Sequence, residues 1–162
     1  MSQTVAPQRE MKEGSLGQAA EPFVQEDVRS RINTAAKLYF GRLVTRTGED
    51  TVGHPSAAIA DLNVVDGVVM ASRAQLDQAD GDDPHYPVKE TTNVLRSGYI
   101  WVAITEDVAV GDPVFVEGGA GDEGKFRASS TGAADTDVSS IAKWERGGLA
   151  ADGIALLEIK LK

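Results

Sequence analysis

The chain has 162 residues, of which 41% are hydrophobic but only 6% aromatic, with 17 glycines, no cysteine and a formal net charge of −9. That length suits one domain with its own core. The lack of cysteine excludes disulfides, thiolate nucleophiles and Cys-ligated zinc or iron–sulfur sites, and the acidic balance opposes direct nucleic-acid binding, which draws on Lys and Arg.

Residues 1–34 read as an extended N-terminal arm, because small and polar residues alternate there and Pro7 and Pro22 interrupt any continuous helix. A short helix is predicted over 26–33, with Val28 and Ile32 as a thin apolar face. Met1 to Gly14 lacks the apolar middle of a signal peptide, and no apolar run in the chain is long enough to span a bilayer. The expectation is a protein made and kept in a cytosol-like compartment, with no membrane partner. Residues 1–46 carry seven basic side chains against five acidic ones, so the acidic excess lies downstream. Either this is chance asymmetry on a solvated surface, or arm and body face different surfaces.

Residues 35–162 show short β-type runs separated by turn residues. Strands are predicted over 37–45, 56–60, 67–71, 98–104, 113–117, 125–129, 141–144 and 153–161. The last has the period of two of a half-buried strand, with Ala155, Leu157, Ile159 and Leu161 on one face and Glu158, Lys160 and Lys162 on the other. In 98–104 both faces are apolar enough to be covered. Gly111-Asp112-Pro113 marks a turn, and Gly118 to Gly124 marks a hairpin tip. The spacing predicts a mainly β fold: a single compact antiparallel β-barrel or sandwich with an extended arm, built as a meander without βαβ units.

The chemical motifs are incomplete. Gly119 to Lys125 matches the GxxxxGK part of a phosphate-binding loop, but Phe126 stands where Ser or Thr would meet magnesium. The segment also leads into a strand, and Asp122 and Glu123 would repel phosphate. The stretch 74–86, with Asp77, Asp80, Asp82 and Asp83, lacks the alternating ligands and distant Glu of a calcium loop and reads as a solvated acidic loop. His54 and His85 sit beside prolines in predicted surface loops, with neither a GxSxG elbow nor an HExxH pair for them to serve. Tyr39, Phe40, Trp101, Phe115, Phe126 and Trp144 read as core or subunit interface rather than as a stacking platform. No catalytic, metal-binding or cofactor-binding residue is assigned.

The succession from Ser97 to Val102, then Val108 to Val116, Gly124 to Ala128 and Gly153 to Leu161 resembles the structural cement (capsid decoration) proteins of tailed bacteriophages. Upstream, Lys37 to Val44 and Asp66 to Met70 resemble that family's earlier strands. The resemblance implies a β-rich, non-enzymatic virion protein on the outer surface of an expanded capsid, synthesised in the host cytoplasm. It implies two partners, the major capsid protein, whose neighbouring subunits it clamps, and itself, as a homotrimer. The segment 1–34 is not matched by the family pattern; its expected role is contact with coat protein or a neighbouring cement subunit. Two other classes remain open at this point: a carbohydrate-binding or adhesin-like β module, which needs exposed aromatics on one sheet face, and a small hydrolase, which needs a pocket with a perturbed carboxylate or His.

Overall fold

Gly41 divides the first predicted strand in two. In the computed structural model, which describes residues 14–20, 27–33, 36–72, 83–119 and 121–161, Gly41 has φ 71° and turns the chain between β2 (Leu38–Tyr39) and β3 (Leu43–Arg46). Its N–H donates to the Val69 carbonyl and its carbonyl accepts from Ala103, both at 2.9 Å. A Cβ there would lie 3.0 Å from the Trp101 carbonyl oxygen, so the close approach requires glycine.

β1 (Asp27–Asn33), β4 (Thr51–Gly53), β3, β5 (Val65–Val69) and β7 (Thr91–Ala103) pair in that order, and β7 pairs back with β1 to close a five-stranded barrel. The mainly β expectation holds, and the architecture is a barrel. One pair departs from an antiparallel meander: β1 and β4 run parallel, with Ile32 opposite Thr51. The other pairings in the ring are antiparallel.

β7 is long because it serves two structures. Its first half closes the barrel, and its second half pairs residue by residue with β12 (Ile154–Lys160), which pairs with β11 (Ala142–Arg146). A three-stranded sheet of β10 (Thr136–Asp137), β8 (Phe115–Val116) and β9 (Phe126–Arg127) packs over this extension, while β2 pairs with β6 (His85–Tyr86).

Two cores result. Val44, Val52, Val69 and Val94 fill one end of the barrel under Leu38, Phe40 and Tyr86. The second core lies on the other side of the same strands, where Leu43, Val68 and Leu95 meet Val102, Phe126, Trp144 and Leu157. Burying the strands on both faces explains why β5 reads Val-Asp-Gly-Val-Val without polar alternation. Gly67 within it has φ 139°, and a Cβ would lie 2.2 Å from the Leu95 carbonyl oxygen. The bulge it permits falls where the β3 register shifts between Val44 and Thr45.

Two sequence expectations are corrected. The segment predicted as a helix over 26–33 is strand β1: its period is two, with Arg31 and Asn33 buried and Val28 and Ile32 turned outward. Interior partners select this geometry, since Arg31 meets Asp66, and Asn33 donates to the carbonyls of Tyr86 and Pro87. A barrel strand therefore lies within the stretch whose composition suggested an arm. The predicted strand over 56–60 is irregular and largely exposed; the Ile59 N–H donates to the Thr136 hydroxyl at 2.8 Å instead of to a ladder.

Candidate functional surfaces

The histidines, expected in surface loops, are built into the body. His85 is buried on β6. His54 accepts from the Tyr39 N–H at Nε2 (2.9 Å), which leaves Nδ1 as the donor to the Leu43 carbonyl at 2.9 Å. Burial lowers its pKa to about 4, with the nearby Arg42 cation adding to the effect against the Leu43 bond. The ring is a neutral structural link at pH 7. Tyr39 stacks on it with centroids 6.0 Å apart, and the Arg42 guanidinium lies 4.3 Å from the Tyr39 centroid. A cavity of about 580 Å³ opens beside this stack, lined by Leu38, Tyr39, Val52 and His54 with Lys37 and Glu123.

The phosphate-loop-like segment is held by the same stack. Arg42 donates to the carbonyls of Gly121 and Glu123 at 3.4 Å. The Glu123 carboxylate accepts from the Gly121 N–H, and Lys125 pairs with Asp122 at 2.8 Å. Backbone bonds between Glu117 and both Gly124 and Lys125 then lead into β9. This is the expected hairpin tip, with its lysine already engaged. Of the acidic loop, Asp77, Asp80 and Asp82 lie outside the described residues, and Asp83 approaches Arg42 at 3.5 Å. Among the described residues no group of three or more acidic or His side chains could hold a metal.

The strongest electrostatic feature closes the other end of the barrel. Asp66 on β5 is fully buried and binds Arg31 of β1 at 2.7 and 3.1 Å and Arg96 of β7 at 2.6 Å. Arg46 of β3 adds a contact at 3.9 Å, and Asp27 and Asp50 approach Arg96 and Arg31 from the rim. The bonds to Asp66 outweigh burial and raise the Arg31 pKa. Charges of both signs are fixed in place, so the network joins four strands of the ring.

Among the described residues the tryptophans and core phenylalanines offer no bare platform. Trp144 is buried and donates Nε1–H to the Pro113 carbonyl at 3.0 Å, Phe40 and Phe126 are in the cores, and Trp101 has Gly14 against its ring. The exposed large apolar side chains among the described residues are aliphatic instead. Val28 and Ile32 stand outward on β1, 40% and 45% exposed, beside Ser30, Thr91 and Asn93. Val110 and Leu149, at 67% and 58%, stand on two neighbouring turns. The sequence placed Val110 beside a turn but did not single out Leu149, because the pairing of those turns is tertiary.

Comparison with known families decides among the readings. The family model described as "Structural cement protein (E217 gp24/Pam3 gp6)" matches residues 2–160. The chain belongs to the phage structural cement protein family. A chain of the solved structure titled "The capsid of Myoviridae Phage XM1" has the same fold, with a TM-score of 0.71 over 99% of this chain and 98% of that one at 15% identity. No curated protein matches.

As a structural cement protein, this chain is a capsid-associated virion component of a phage, and the match runs through both cores and the N-terminal segment. In it the Tyr39–His54–Arg42 stack secures a hairpin, and Asp66 ties strands of the barrel together.

Proposed function

We propose that this cement protein binds the outer surface of an expanded phage capsid and stabilises it by clamping neighbouring major capsid protein subunits, without catalytic turnover. The observation that carries this reading is the family match over residues 2–160. The double-cored fold supports it, because a clamp must hold its contact surfaces rigid against each other. Self-association as a homotrimer belongs to the same reading. It is supported by the outward face of β1, where Val28, Ser30 and Ile32 adjoin Thr91 and Asn93 in an exposed patch carrying no charge. That face lies in the segment 1–34, consistent with a role for that segment in contact with a neighbouring cement subunit or coat protein.

The absence of turnover is supported by the engagement of both His54 nitrogens and of Lys125. The carbohydrate-binding alternative loses its motive, since Trp144 is buried and Trp101 is half-buried with Gly14 beside its ring.

The test is to add the purified protein to expanded, undecorated capsids of the phage that encodes it. Decoration should raise the temperature at which the capsids rupture, and a cryo-electron microscopy map should show copies bridging coat subunits on the exterior. Undecorated capsids with unchanged rupture temperature would defeat the reading.

A further inference from the structure

We infer that the paired turns carrying Val110 and Leu149 are a preformed anchor for the coat protein, seated in an apolar hollow bordered by Lys or Arg. The inference rests on the capsid-binding reading above and adds the surface and its complement.

The two turns come from distant parts of the sequence and are joined at their base. Val108 and Gly148 exchange backbone hydrogen bonds at 3.0 Å each, and the Asp107 carboxylate accepts from the Ala150 N–H at 2.7 Å. Gly148 is required at this junction, because a Cβ would lie 2.1 Å from the Ile154 carbonyl oxygen. Each turn is also closed internally. Asp112 donates its N–H to the Ala109 carbonyl and accepts from the Ala109 N–H at its carboxylate, at 3.1 and 2.9 Å. In the other turn, Asp152 and Gly153 both donate to the Leu149 carbonyl, at 3.0 and 3.1 Å.

On this braced base stand the two most exposed large apolar side chains among the described residues, Val110 and Leu149, flanked by exposed Ala109, Ala150 and Ala151. Exposed aliphatic side chains on rigid turns lose little conformational freedom on binding, which is the property of an interface anchor. The charge within the two turns has one sign. Residues 107–113 and 147–153 contain Asp107, Asp112 and Asp152 and no basic residue; Arg146 lies just outside, at the end of β11. That rim selects the occupant. A symmetric contact with a second copy would set these aspartates against one another, whereas a basic border on the coat protein would pair with them. The uncharged β1 face carries no such penalty, so the two exposed apolar areas suit different partners.

The experiment uses the full chain and expanded capsids, with V110S/L149S and D152K compared with wild type by co-sedimentation, light scattering and thermal unfolding. V110S/L149S should weaken capsid binding roughly tenfold or more while oligomeric state and melting temperature stay as in wild type. D152K should weaken binding too, and the wild-type affinity should fall as salt is raised. Hydroxyl-radical footprinting of wild type should show Leu149 and Val110 protected on capsids and reactive in the free protein, a readout independent of how the variants fold. Wild-type affinity in V110S/L149S, or undiminished reactivity of both residues on capsids, overturns the anchor and leaves the cement reading standing. Loss of the oligomer in V110S/L149S assigns the turns to self-association and overturns the inference. Failure of wild type to bind capsids at all removes both.

Discussion

Asp66 of β5 and Arg31 of β1 meet through two hydrogen bonds, 2.7 and 3.1 Å long, inside a ring in which their strands are not neighbours. The pair thus ties opposite walls of the barrel, and Arg96 ties a third strand to the same carboxylate. Replacing Asp66 by Asn leaves buried guanidinium charge without its counter-ion, a change that costs about 3–5 kcal/mol in comparable sites. The expected result is a large fall in the urea midpoint. Adding Arg31→Met to Asp66→Asn should cost less than the sum of the two single substitutions, because the second removes the charge the first stranded. Strict additivity in that cycle would show that the pair is not coupled.

Gly67 predicts a contrast between two glycines. Its positive φ and the 2.2 Å approach of the Leu95 carbonyl to a built Cβ leave no room for Ala. Gly67→Ala should destabilise the protein by about 3 kcal/mol or more, through strain and displacement of β7. Gly132, where a Cβ would meet nothing within 4 Å, should tolerate Ala within about 0.5 kcal/mol. Equal melting temperatures for the two variants would contradict the close packing of β5 on β7.

His54 links stability to pH. Its folded pKa of about 4 lies below the ordinary value of 6.5. The unfolded chain therefore takes up a proton at His54 below pH 6.5 while the folded protein does not. Stability is lost as pH falls from about 6.5 to about 4, and the loss levels off once the folded ring is protonated as well. The full difference is on the order of 3 kcal/mol. His54→Gln, which keeps a polar side chain but cannot titrate, should have a lower stability at pH 7 and a flatter profile between pH 6.5 and 4. Parallel wild-type and variant profiles across that window would rule out His54 as the source.

Residues 14–20 predict a fluorescence change. Gly17 donates to the Trp101 carbonyl, Trp101 donates to the Gln18 carbonyl, Ala20 donates to Tyr99, and a side chain at Gly14 would meet the Trp101 ring. Deleting residues 2–20 should expose Trp101, red-shift the emission and lower the melting temperature, with the barrel retained. Extending the deletion through Asn33 removes β1 and the Arg31 partner of Asp66, and should abolish cooperative unfolding. A folded product from the longer deletion would show that β1 is dispensable to the ring.

Much of this was legible in the sequence, for identifiable reasons. Alternation in Ala155, Leu157 and Ile159, and the glycines of the 118–124 tip, mark strand and hairpin by local sterics alone, and both occur where the pattern put them. The hairpin character of the phosphate-like motif is legible for the same reason, since its glycines and acidic residues are visible without a fold. β1 was misread because a period of two in Arg31 and Asn33 looks polar until Asp66 and the Tyr86 carbonyl are placed opposite. His54 and His85 were misread for a similar reason, since a proline beside a histidine signals a turn but says nothing of what packs over it. The β class, the turns and the family resemblance are readable from short stretches of chain, since backbone preference and side-chain alternation act over a few residues. Closure of the ring, the burial of Asp66 among arginines and the pairing of the Val110 and Leu149 turns were decided only by tertiary structure. Each depends on groups from distant segments, whose hydrogen bonds and charges become favourable only when folding excludes water between them.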